Sequence, residues 1–294
     1  MLLGISAALG AALAWAIATR GFRKLSGYFN PVALNIWKGI ISLIGISIWL
    51  LYQQPSIESL SSLDWFWLLS SGVIGIGLGD TALFLALKQL GDRATLLVAE
   101  TVAPVLVLFM GWLWLADYPG AWQLLGMFLI VLGIDWVIGV PENGAHYLRS
   151  PGLKWALLAA LCQALGAVLS RQVLKGSDLD PVLTAGIRLV GGMIACIVIL
   201  SFLGFKLRPQ TKTLKALLPT LVWVSILGTL IGLTLQQTAL LHIDATLTQT
   251  LIATSALMAV GIALFEGEKI SIRSIYGVMV GLIGMVLAVG AVLS

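Results

Sequence analysis

Residues 30–38 read NPVALNIWK and residues 180–188 read DPVLTAGIR. Each stretch has an Asn-Pro or Asp-Pro step, an apolar run, and a basic residue, Lys38 or Arg188, seven positions after the proline. Sliding the chain along itself by about 150 residues extends the match outward: Gly75 and Gly79 meet Gly228 and Gly232, Asp117 meets Glu268, Gly126 meets Gly277, and Gly133 meets Gly284. One coincidence would mean little, but an ordered series marks a structural unit written twice.

Composition sets the medium in which that unit folds. The chain has 294 residues, 59% hydrophobic and 10% charged, against roughly 45–50% and 25% in soluble domains, which excludes a water-soluble fold. A helix needs about 20 apolar residues to cross a hydrocarbon core of about 30 Å. Apolar runs bounded by charges, Gly, Pro or Asn place ten spans near residues 2–19, 31–51, 65–87, 94–115, 120–140, 153–174, 181–204, 216–241, 245–265 and 272–293. The runs 65–115 and 216–265 are interrupted only by KQLGDR and HID, so each reads as a tight helical hairpin. Five spans per copy is an odd number, so the second copy enters the membrane from the opposite face. The expected fold is all-α and integral to the membrane: ten transmembrane helices as two inverted five-helix repeats, 1–140 and 153–294, joined by the linker PENGAHYLRSPG at 141–152.

Several function classes fall away. Cys162 and Cys196 lie in apolar runs, where they read as packing residues, and with His146 and His242 as the only histidines no metal set forms. The N-terminal run lacks a basic n-region and a cleavage signature, so it reads as a retained first helix. The net charge of +4 is spread over loops with no basic face, which argues against a nucleic-acid partner. No nucleophile with a base at hand and no phosphate loop is present, so neither an enzyme nor a bound cofactor is expected. Thirteen Lys and Arg, among them Arg93, Arg149, Lys212 and Lys269, lie in loops after spans 1, 3, 5, 7 and 9, against only Arg171 and Lys175 on the other face. The positive-inside rule then makes the basic face cytoplasmic and puts both termini outside.

Charged groups within the spans carry the chemistry, because a lone Asp or Lys at mid-helix costs about 2.5 to 3.5 kcal/mol on insertion. Lys38, Asp80, Glu100 and Asp135 fall in spans 2, 3, 4 and 5, all about 8 to 11 Å in from the basic-loop face; Arg188 lies at similar depth from the opposite face. Such a layer can pair, share protons or hold a charged ligand. The positions aligned with Asp80, Glu100 and Asp135 are Leu233, Leu251 and Val286, with Gln236, Gln237 and Gln249 nearby, so the chemistry is lopsided where the fold is symmetric. Each charge also has a bland reading: Lys38 snorkelling to the interface, Asp135 hydrogen-bonding near a span end, Arg188 pairing with a helix end. Trp15 and Trp37 lie inside spans near the Lys38 layer and, with Gln163 and Gln237, are expected to line a cavity. Most other tryptophans sit near span ends, as an interfacial belt does. Pro104 should break span 4 beside Glu100, and because its aligned residue is Ser255, only the first half should carry that break.

These marks resemble the drug/metabolite transporter superfamily, EamA type, over nearly the whole chain. They are Ala14-Trp15, Pro31 with Lys38, Pro181 with Arg188, Ala86-Leu87 and Ala239-Leu240 closing spans 3 and 8, Pro104, and the ends Leu115-Ala116-Asp117 and Glu266-Gly267-Glu268. The resemblance implies a secondary transporter that moves small metabolites, often amino acids, through a cavity between two five-helix repeats by alternating access. It also implies an N-inside topology with a basic loop after span 2. Here that loop holds Glu58 and Asp64, and the charge count points the other way. The expected function is export of a small charged or zwitterionic metabolite, with protons as a candidate coupling ion and a monomer as a plausible state. The alternative is a flippase for a lipid or lipid-linked headgroup, since basic loops suit anionic lipids.

Overall fold

The structure, a computed structural model, describes residues 1–56, 60–138, 151–204, 206–210, 213–265 and 271–293. Most of the 141–152 linker, Glu58, Arg149, Lys212, residues 266–268, Lys269 and the side chain of Arg93 lie outside the described residues. The chain runs as α1 (Leu2–Ser26), α2 (Pro31–Gln53), α3 (Ser62–Gly91), α4 (Thr95–Leu115), α5 (Ala121–Ile138), α6 (Gly152–Leu174), α7 (Pro181–Leu203), α8 (Leu214–His242), α9 (Ala245–Ala253 and Ser255–Phe265) and α10 (Ile272–Leu293). Among the described residues, nine of these are long and apolar enough to cross a membrane, and α5 is a shorter apolar helix. The ten-span fold of two inverted five-helix repeats is thus present.

The repeated NP and DP steps are helix starts. The side chain of Asn30 accepts from the Val32 N–H at 3.0 Å, that of Asp180 accepts from the Leu183 N–H at 2.8 Å, and a proline takes the first helical position each time. The cap satisfies an orphan donor, and proline has no donor there to lose. The two expected hairpins are tight turns. Gly91 at φ 78° separates α3 from α4, while Asp244 caps α9 through the Leu247 N–H at 2.7 Å.

Two helical irregularities depart from expectation. Helix α4 runs straight through Pro104, whereas α9, its counterpart, breaks at Thr254. Neighbouring helices hold α4 helical past the missing amide. At Thr254 the hydroxyl bonds back to the Leu251 carbonyl at 2.5 Å and tightens the turn there. Second, α3 and α8 carry π-helical segments at matched places, Val73–Asp80 and Ser225–Ile231. A π turn frees carbonyls, and side chains of packed helices take them: Asn35 Nδ2 donates to Ile76 O at 2.7 Å, Trp15 Nε1 to Gly228 O at 2.6 Å and Ser42 Oγ to Ser225 O at 3.1 Å.

Packing shows the internal two-fold. Helix α2 lies against its counterpart α7 and α5 against its counterpart α10, while α1 on α8 and α9 mirrors α6 on α3 and α4. The α5–α10 crossing is backbone on backbone: a Cβ at Gly133 would meet Gly277 O at 2.5 Å, and one at Gly126 would meet Gly284 O at 2.6 Å. Large apolar side chains such as Ile48, Leu51, Phe109 and Ile283 face outward, as lipid-exposed surfaces do.

Candidate functional site

Between the repeats lies a cavity of about 120 Å³, well above the roughly 10–15 Å³ that one water needs. Its wall includes Trp15, Lys38, Asp80, Glu100, Gln163 and Arg188, contributed by α1, α2, α3, α4, α6 and α7. Six sequence-derived candidates therefore share one chamber. Asp80 closes the π segment of α3, so the wide turn sets the direction of its carboxylate.

Lys38 forms a salt bridge and hydrogen bond with Asp80. Both are sequestered, with side chains 6% and 21% exposed, so neither charge snorkels to water. The Lys38 ammonium also lies 5.8 Å from the Phe22 ring centroid and 5.4 Å from that of Phe84, within cation–π range. These phenylalanines are a wall that the tryptophan pattern missed. Phe84 follows Asp80 by one helical turn, which was the available signal.

Arg188 is held by neutral groups. Its Nη1 donates to Gln237 Oε1 at 2.7 Å and Gln236 Oε1 at 3.2 Å, and Gln237 exchanges hydrogen bonds with Ser170 at 2.8 and 3.0 Å. No carboxylate pairs with Arg188 among the described residues, and its Nε has no hydrogen-bond partner. Glu100 is 6% exposed, and its Oε2 is unpartnered. The cavity thus holds one ion pair, one guanidinium whose hydrogen bonds go to amides with Asp80 as an electrostatic neighbour, and one carboxyl with an unpartnered oxygen beside Ser255.

The remaining candidates sit elsewhere. Gln237 stands behind Arg188 as a positioning residue, while Gln236 reaches the cavity wall itself. Trp37 is not a lining residue: its indole donates to Leu207 O at 3.0 Å, toward the loop after α7. Asp135 lies outside the layer, 55% exposed and 4.0 Å from Arg273 Nη2, because α5 packs on α10 at the periphery. Gln249, Ser255 and Thr229 from the second repeat complete the lining. Among the described residues no group of three His, Cys, Asp or Glu could hold a metal.

Charged side chains join the helix ends where α4, α6 and α8 finish. Lys175 Nζ bonds Asp117 Oδ1 at 2.9 Å and Leu115 O at 2.5 Å, and Arg171 Nη1 bonds Leu240 O at 2.5 Å. Cations on helix C-terminal carbonyls are favourable, and these tie α6 to the ends of α4 and α8.

A family model described as the EamA-like transporter family matches the chain twice, over residues 2–139 and 150–290. A solved structure described only as the crystal structure of a protein is 18% identical, with a TM-score of 0.76 over 98% of this chain and 95% of that one, a likeness of fold. No curated protein matches.

Proposed function

The chain belongs to the EamA-like transporter family, and from that premise we propose that it exports a small charged or zwitterionic metabolite, such as an amino acid, by alternating access coupled to protons. The supporting observation is that Arg188, hydrogen-bonded only to amides, and Glu100, with an unpartnered carboxyl oxygen, line one chamber between the repeats. A buried guanidinium held by amides is a carboxylate receptor, because a bidentate anion adds charge-assisted bonds that glutamines cannot give. Lys38 serves as a counter-charge that can be exchanged against the substrate, and Asp80 and Glu100 act as proton ligands. Trp15 and the two phenylalanines supply the apolar face. Rocking of the repeats would separate Lys175 from Asp117. The excess of Lys and Arg in the loops after α1, α3, α5, α7 and α9 supports a cytoplasmic position for that face.

A thermal-shift screen against amino acids, polyamines, nucleobases and sugars at two pH values should find a stabilising ligand. That ligand should then be transported by proteoliposomes in a pH-dependent way. Glu100→Gln or Asp80→Asn should flatten the pH dependence; an unaltered profile in both would remove the acids from coupling.

A further inference from the structure

Among the described residues nine buried side-chain polar atoms lack a hydrogen-bond partner, and five belong to residues lining this one cavity. Arg188 Nε is the only nitrogen of the five, and the Ser255 hydroxyl among the rest can donate as well as accept. The others are Glu100 Oε2, Gln163 Oε1, Gln249 Oε1 and Ser255 Oγ, four oxygens from α4, α6 and α9. The Ser255 hydroxyl approaches the Glu100 carboxyl without closing a good hydrogen bond. Pro104, one turn after Glu100, has no N–H to give the main-chain carbonyl of Glu100. The interruption of α9 at Thr254, a tightened turn that keeps helical φ and ψ of −62° and −10°, falls beside Ser255.

Buried polar groups are almost always satisfied, so the orphaned set asks what would satisfy it. A proton on Glu100 occupies one oxygen and leaves the amides and hydroxyl unserved. One water has only two hydrogens to give. A small cation can take several oxygens at once, and the residues that carry these four line one cavity. The donors are hard oxygens carrying a single formal negative charge, which suits a monovalent ion; a divalent one draws on more carboxylates.

We propose that Glu100, Gln163, Gln249 and Ser255 form a binding site for sodium, separate from the Lys38–Asp80 pair. Coupling of that ion to transport rests on the carrier reading above, where Glu100 is a proton ligand, so sodium and the proton compete for the one carboxylate; binding itself needs no substrate. The other charged groups facing the chamber are Lys38, Asp80 and Arg188.

The test is thermal stability of the purified full chain, without substrate, in sodium, potassium and choline chloride at equal ionic strength and fixed pH. Sodium should raise Tm with the logarithm of its concentration above Kd, by about 3 to 6 °C at large excess, and potassium and choline should not. Equilibrium dialysis with radioactive sodium should find about one ion bound per chain. Glu100→Gln should abolish both effects, and Ser255→Ala and Gln249→Leu should weaken binding at least about tenfold. Equal Tm in the three salts, or sodium binding retained in Glu100→Gln, overturns the site. If Glu100→Gln does not fold, the salt comparison on the unmodified chain together with Ser255→Ala decides. A ligand found by the substrate screen in the absence of any sodium effect would leave the carrier reading standing and remove only the ion site.

Discussion

In the first repeat Asp80 and Glu100 project into the chamber; at the aligned positions the second repeat has Leu233 and Leu251, with Gln236 and Gln249 beside them on the wall. The scaffolding does not diverge in this way. Both repeats open their second helix with a capped proline, place a basic residue seven positions later, and widen their third helix into a π segment at the same place. Even so, the freed carbonyls find different partners, Asn35 of α2 in one half and Trp15 of α1 in the other. The backbone geometry is kept twice because two exchanging halves need it. The acids are present once, in the first repeat, and on the proposed reading they serve a single ligand site between the halves.

The largest expected effect compares the two matched basic residues. Lys38→Met leaves the part-buried Asp80 carboxylate without its partner and should cost about 3 kcal/mol of stability, measured by unfolding in detergent. Arg188→Met leaves only amides behind, which can still pair with Ser170, and should cost about 1–3 kcal/mol. Lys38→Met combined with Asp80→Leu gives the first half the second half's apolar residue at that position; it should recover most of the stability and none of the transport. Equal costs for the two single changes would break the asymmetry.

Next come the glycines that the repeats share. Gly133→Ala and its aligned partner Gly284→Ala each drive a methyl into backbone, with the nearest atoms at 2.5 and 2.6 Å, and should each cost about 1–3 kcal/mol. Gly290, whose Cβ would meet nothing within 4 Å, should accept alanine within about 0.5 kcal/mol. Unequal costs at the matched pair would show that the α5–α10 crossing is less symmetric than its geometry.

Much of this was legible in the chain alone. The spans stand where charges and prolines punctuate the apolar runs, and Lys38, Asp80, Glu100 and Arg188 meet because equal depth on packed helices leaves them little else to meet. Other features were hidden. The π segments follow from tertiary packing on α1, α2 and α7, and no local spacing announces them. Pro104 suggested a break in the wrong helix, because neighbours can carry a helix through proline while a Thr-Ser pair in α9 ends one without it. Trp37 and Asp135 share the depth of the charged layer but point elsewhere on their helices, and depth along a span does not fix azimuth.

A smaller effect belongs to the turn before α9. Burial raises the pKa of Asp244 above the usual carboxylate range, partly offset by the Leu247 N–H and Gln123. An acid whose folded pKa is raised favours folding below its unfolded value and loses that contribution as pH rises through the folded one. Asp244→Asn keeps the cap, so its stability relative to the parent should rise across that interval and match it at low pH. Smallest of all, Asp135→Asn removes an exposed pair at 4.0 Å and should change stability by less than about 0.5 kcal/mol, with transport intact.

The most direct test of one charged chamber serving both repeats is calorimetric titration of the stabilising ligand into the parent chain, Arg188→Gln and Asp135→Asn. Removal of the cavity guanidinium should weaken binding about 100-fold, the equivalent of about 2.7 kcal/mol, while Asp135→Asn binds as the parent does. Unchanged affinity in a folded Arg188→Gln protein would place the ligand elsewhere and contradict the account.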